Sequence, residues 1–248
     1  MDIMEIIGSN PFNPEHNLPE ISGFDQYSEL SNQDVDNLIK TLIPEGHLDN
    51  CGSIVCNPND PTWLEMPGAA GYHVNYGDGS PCDICLAGRE ILGGSDTSEL
   101  EVLCHEIGHN AYDNLSSEAQ SEWSDIHAES EDIYNATGLG FVSNYAHTNL
   151  FEDFAETYAI YMTNPDLLQF VSPEKYEFMQ ERVFGGLEYG QVPAGNGEWA
   201  LVTKDVADSY NQVENHAPYI SPTTNVDIVS SEQNSLTNAI FRCFEKIG

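Results

Sequence analysis

Ser98-Glu99-Leu100-Glu101-Val102-Leu103-Cys104-His105-Glu106-Ile107-Gly108-His109-Asn110-Ala111 is the stretch on which the reading of this chain turns. Ser98 with Glu101 three residues on has the form of a capping box, so a helix is expected from there to roughly Leu115. Leu100, Leu103, Ile107 and Ala111 fall on one face of that helix. His105 and His109 fall on the other, one turn apart and separated by about 40° around the axis. Two imidazoles so placed can share one ion, and the H-E-x-x-H spacing suits Zn²⁺. Glu106 lies on the flank of the same face, where a carboxylate can hold a water beside the ion and take its proton. Gly108 permits a close neighbour at some cost in helix propensity.

A site of this kind needs a third protein ligand. A second helix, expected from about Asn149 to Met162, carries Glu152 and Glu156 one turn apart, with Leu150, Phe151, Phe154, Tyr158 and Tyr161 as its core side. Glu152 is the economical choice for the third ligand, and Glu156 can hydrogen-bond a ligand imidazole from behind. His127 and His147 are rival ligands on spacing alone.

Working outward, Ser31 caps a helix carrying Val35, Leu38, Ile39 and Leu42, which ends at Pro44 and Gly46. From 50 to 94 short apolar pieces alternate with turn residues, and Ile54–Cys56, Gly71–Asn75 and Arg89–Leu92 are the expected strands. A helix from Ser117 to Ala136 and a short one over 173–183 flank the Glu152 helix. Beyond Gly190 the chain reads as loop until an amphipathic stretch from Asn234 to Ile247. The pattern is α+β: a small twisted sheet with an edge strand, then the helix of the two histidines and a mostly helical C-terminal half. The expected organisation is an irregular lead-in over 1–30, one domain over 31–190, and an extension over 191–248 packed on that domain.

The 248 residues include 41 Asp or Glu and 7 Lys or Arg, a formal net charge of −34. Seven scattered cations cannot neutralise a phosphate backbone, which argues against nucleic acid. No apolar run is long enough to span a membrane. The first residues have neither a basic region nor an apolar run, so no signal peptide is expected. The acidity reads as a solvated surface, as a field that draws a basic substrate, or, less economically, as calcium-binding loops.

The run Tyr145-Ala146-His147-Thr148-Asn149-Leu150-Phe151-Glu152-Asp153-Phe154-Ala155-Glu156 resembles the segment after the zinc helix in the lethal-factor group of zincin metallopeptidases, which includes the catalytic domain of anthrax toxin lethal factor and the Pro-Pro endopeptidases. The likeness extends upstream to Gly71-Tyr72 and the strand near Ile91, and downstream through Asn164-Pro165-Asp166-Leu167-Leu168 to Tyr176. It spans roughly residues 30–185 and leaves out the six cysteines. It implies a zincin fold and a zinc endopeptidase in which His105, His109 and Glu152 hold one Zn²⁺, Glu106 is the general base, Glu156 supports a ligand from behind, and Tyr145 donates to the developing oxyanion. It also implies a peptide or protein substrate bound extended along an edge strand, Gly71–Asn75 or Arg89–Leu92. Two alternatives stand beside it: a toxin or effector protease dedicated to one substrate, and a catalytically silent binding module on the same fold. A monomer is expected. Relatives in this group are often secreted, which favours an extracellular protein and leaves a cytoplasmic one open.

Cys51, Cys56, Cys82 and Cys85 form a C-x4-C and a C-x2-C, with Cys104 and Cys243 apart. Disulfides, a structural metal on the first four, and free buried thiols are all open readings; Cys104 is most simply core.

Overall fold

The computed structural model describes residues 18–89, 98–195 and 198–214. Four strands make one sheet: β1 (Glu20–Ser22), β2 (Cys51–Cys56), β3 (Gly71–Val74) and β4 (Cys82–Leu86), in the order β1-β2-β4-β3. β1, β2 and β4 run parallel, and β3 returns antiparallel along β4 as an edge strand. Ile54, Cys56, Cys82, Ile84 and Leu86 are buried on one face at period 2, and Cys85 is buried on the other face of β4. A helix, α1 (Asn32–Thr41), opens with a complete capping box between Ser31 and Asp34 and buries Val35, Leu38 and Ile39.

Two long helices pack against each other, and the first of them also packs on β3 and β4. α2 (Glu99–Asp113) is capped by the Ser98–Glu101 box, and α4 (Leu150–Thr163) follows an Asn149 cap that accepts from the N–H groups of Phe151 and Glu152. α3 (Ser117–Thr137) lies between them in sequence and ends at Gly138. Gly108 sets the spacing of α2 and α4: a Cβ there would stand 3.0 Å from Ala155 Cα and 3.1 Å from Tyr158 Cβ. The lost helix propensity is thus exchanged for close backbone approach. α5 (Pro165–Val171) and α6 (Pro173–Phe178), the latter continuing into a π turn over Met179–Val183, complete the helical half. Trp123, Phe154, Tyr158, Tyr161 and Met162 are fully buried where these elements meet.

The architecture is mixed α+β, with several departures from the sequence reading. The lead-in is not irregular throughout: β1 falls inside it, and Phe24, in the helical turn after β1, is fully buried. A three-residue strand has no periodicity to detect, and its partner is some thirty residues away. β4 was not anticipated because Cys82 and Cys85 fill positions where an aliphatic residue would have signalled a strand. The expected strand Arg89–Leu92 falls outside the described residues from residue 90 on, as does Asn234–Ile247. As far as Glu214 the segment after Gly190 is not loop: β5 (Tyr189–Gly195) and β6 (Glu198–Thr203) form a hairpin, followed by α7 (Lys204–Glu214). The boundary at 190 therefore cuts a strand. Tyr189 donates from its hydroxyl to Leu42 O at 2.5 Å, and Gln191 Nε2 donates to Thr163 O at 2.9 Å, which ties the hairpin to the core. Phe151, expected in the core, is 52% exposed and meets Tyr112 edge-on.

Cys51, Cys56, Cys82, Cys85 and Cys104 stand as free, buried thiols in this structure, and Cys243 lies outside the described residues. They pack as small hydrophobes on the sheet and α2. No helix among the described residues is long and apolar enough to cross a membrane.

Candidate metal centre

α2 and α4 bring three ligand atoms together. His105 Nε2 and His109 Nε2 are 3.1 Å apart, and Glu152 Oε2 stands 3.1 Å from the first and 3.3 Å from the second. Ligands about 2.05 Å from one tetrahedral ion would be separated by about 3.3 Å, so the triangle matches the edges such an ion requires. Among the described residues this is the single group of three His, Cys, Asp or Glu side chains whose ligand atoms converge in this way. The four cysteines of the sheet do not form a second one.

The hydrogen bonds behind the triangle decide which nitrogens face inward. His105 Nδ1 lies 2.8 Å from Glu156 Oε1, and a carboxylate there accepts a hydrogen bond from Nδ1–H, keeping the proton on that nitrogen. Nε2 then carries its lone pair towards Glu152 Oε2, and two such groups tolerate that contact only with a proton or a cation between them. Glu156 is held in turn: its Oε2 accepts from Ser143 Oγ at 2.6 Å, and that hydroxyl accepts from Ala146 N–H at 2.9 Å. With no ion between the ligands, burial opposes charging of His105, yet the bonds to Glu152 and Glu156 outweigh it and raise its pKa to about 10. Burial likewise opposes ionisation of Glu152, and the bonds to His105 and His109 overcome it, holding the carboxyl well below its usual range.

Glu106 is 5% exposed beside the triangle. Burial raises its pKa, while the charges of His105 and His109 pull it down. The direction is the one a carboxylate needs to accept a proton near neutral pH and give it back. Room for it is made by Gly71 on β3: a Cβ at that position would sit 2.5 Å from Glu106 Oε1 and 2.9 Å from Val102 Cγ1.

Tyr145 stands over His105, with ring centroids 5.8 Å apart. Burial first, then the charges of Glu152 and Glu106, keep its phenol protonated above the ordinary range, so it remains a hydrogen-bond donor. Tyr145, His105, Glu106 and Glu156 share a cavity of about 70 Å³ whose other walls include Ala70, Val102, Ala159 and Ile160.

All six residues singled out from the sequence therefore meet in one place. The rival ligands do not belong to the triangle: His127 Nδ1 is 2.9 Å from Asp153 Oδ2, and His147 Nε2 is 3.1 Å from Glu131 Oε2. Three contributors were missed. His73 stacks on His109, centroids 6.2 Å apart and planes 19° from parallel. It was within reach of the sequence, since period 2 puts it on the face of Gly71. Asn110 is 2% exposed and ties α2 to its surroundings. It accepts from Cys82 Sγ at 2.7 Å and from His73 Nε2 at 3.3 Å, and it donates to His47 O at 2.7 Å. Ser143 carries no signal in the sequence, because its role depends on a loop folding back onto Glu156.

No protein-family model, curated protein or solved structure matches this chain.

Proposed function

We propose that the protein is a zinc-dependent endopeptidase of the lethal-factor-like zincin type, with His105, His109 and Glu152 as the metal ligands. The triangle of Nε2, Nε2 and Oε2 carries this reading, because its edges of 3.1–3.3 Å suit one tetrahedral ion and a buried carboxylate stands beside it. The ion would acidify a water and polarise the scissile carbonyl. Glu106 takes the proton of the attacking water and delivers it to the departing amine. Tyr145 donates to the oxygen on which negative charge develops. Glu156 holds His105 in the tautomer that presents Nε2. The peptide adds as a strand along the side of β3 that is open among the described residues, opposite the side on which β3 pairs with β4.

The test is zinc content by elemental analysis together with cleavage of a peptide library, with a chelator control. About one zinc per chain and chelator-sensitive cleavage are expected. Glu106→Gln should keep the metal and lose hydrolysis by about 10²–10⁴-fold. Wild-type turnover in that variant would remove Glu106 from the role of base, and bound zinc without cleavage would point to a silent binding module.

A further inference from the structure

Lys175 is fully buried, a rare state for a lysine. Its Nζ lies 2.7 and 2.8 Å from the two oxygens of Asp153, itself 0% exposed, and 2.9 Å from Gly140 O. The ammonium also sits 4.2 Å from the centre of the Phe141 ring. Neither Asp153 nor Gly140 belongs to the candidate metal centre, yet both border it in sequence. Asp153 follows Glu152 on α4. Gly140 and Phe141 open the loop that delivers Ser143 to Glu156 and Tyr145 to His105. A buried ion pair is a poor device for stability alone, since well-packed apolar residues often do as well. It does fix relative position, and here it fixes the loop against the ligand helix.

We propose that Lys175 is a positioning residue of the metal centre, its ammonium clamping the Gly140 carbonyl to Asp153 so that Tyr145, Ser143 and Glu152 are held in one frame. Two routes lead from the clamp to the centre. Through Asp153 it orients the first turn of α4 and hence Glu152. Through Gly140 it sets the start of the loop whose Ser143 hydroxyl holds Glu156, which in turn holds His105. His127 shares Asp153 from the other side and steadies it. The part concerning Tyr145 rests on the endopeptidase reading, whereas the part concerning the ligands does not.

The test uses the K175M/D153N double variant, which removes both charges and leaves no uncompensated buried ion. In the folded variant, Co²⁺ affinity measured by chelator competition should fall about tenfold, as for loss of a group supporting a ligand. The d–d spectrum of the bound Co²⁺ should change, which loss of stability alone would not cause. On peptide, Y145F should cost much less in the double variant than in the wild-type background, because Tyr145 is already displaced. Unchanged Co²⁺ affinity and spectrum, with the full Y145F penalty, would overturn the proposal. If the double variant does not fold, K175Q, which keeps an N–H donor without the charge, takes its place under the same criteria. A wild type that binds Co²⁺ but cleaves no peptide would sink the endopeptidase reading, while the Co²⁺ measurements would still decide the clamp.

Discussion

His105 Nδ1 and Glu156 Oε1 lie 2.8 Å apart across two helices, joining a residue of α2 to a residue of α4 that is not itself in the ligand triangle. The bond fixes which nitrogen of His105 is presented. Glu156→Ala should therefore lower metal affinity about 10–100-fold, read by chelator competition. Ser143→Ala, which removes the donor to the other oxygen of Glu156, should lower it less. Affinities equal to wild type in both variants would show that Glu156 does not orient the ligand.

Gly71→Ala tests the fit between β3 and Glu106. The added methyl falls 2.5 Å from Glu106 Oε1 and 2.8 Å from its Cγ, and the carboxylate has to move. Hydrolysis should drop about a hundredfold, the lower end of what a general base contributes. Metal content should stay unchanged. Full activity would mean that Glu106 has slack on the sheet side.

The metal-free centre should respond to pH in two windows. His105 has its pKa raised from 6.5 to about 10, so its stabilising bonds are fully present below about 6.5 and are lost as pH rises towards 10. Glu152 is depressed below its ordinary 4.5, so its contribution is present above that value and lost as pH falls below it. The melting temperature of metal-free protein should decline from pH 6.5 towards 10. Binding of Zn²⁺ must displace the His105 proton, so the apparent affinity should rise by up to about tenfold per pH unit over that range. An affinity independent of pH, or no proton release in an indicator assay, would count against this protonation state.

The net charge of −34 offers a kinetic test. If the field guides substrate, basic peptides should be cleaved faster than acidic ones at low salt. That advantage should fade towards 1 M salt, where the screening length is about 3 Å. Equal rates throughout would leave the charge a matter of solvation.

What was legible in the sequence was what helices encode locally. His105 with His109, and Glu152 with Glu156, sit at a spacing of four on segments with clear caps, and the structure brings all four together. The sheet was less legible, since β1 has three residues and gains its meaning from Ser53–Val55. The hairpin of β5 and β6 did leave a trace, because Gly195-Asn196-Gly197 between two apolar runs is a turn signal, weakened by Pro193 within the first run. Lys175 and Ser143 were invisible for a different reason. Their chemistry comes from partners 22 and 13 residues away that only the folded loop brings near.

The two margins of the sheet carry unequal obligations. Among the described residues β3 leaves one row of backbone donors and acceptors free, the row on which a peptide would pair. β1 does the opposite for β2: it occupies the margin that would otherwise recruit any extended chain in the vicinity. A chain beginning at residue 31 would lose that guard together with Phe24, and would expose the six-residue margin of β2 in place of the three-residue margin of β1. The short strand of the lead-in thus narrows the second margin that an incoming strand could meet, since a three-residue edge is a poor template for pairing.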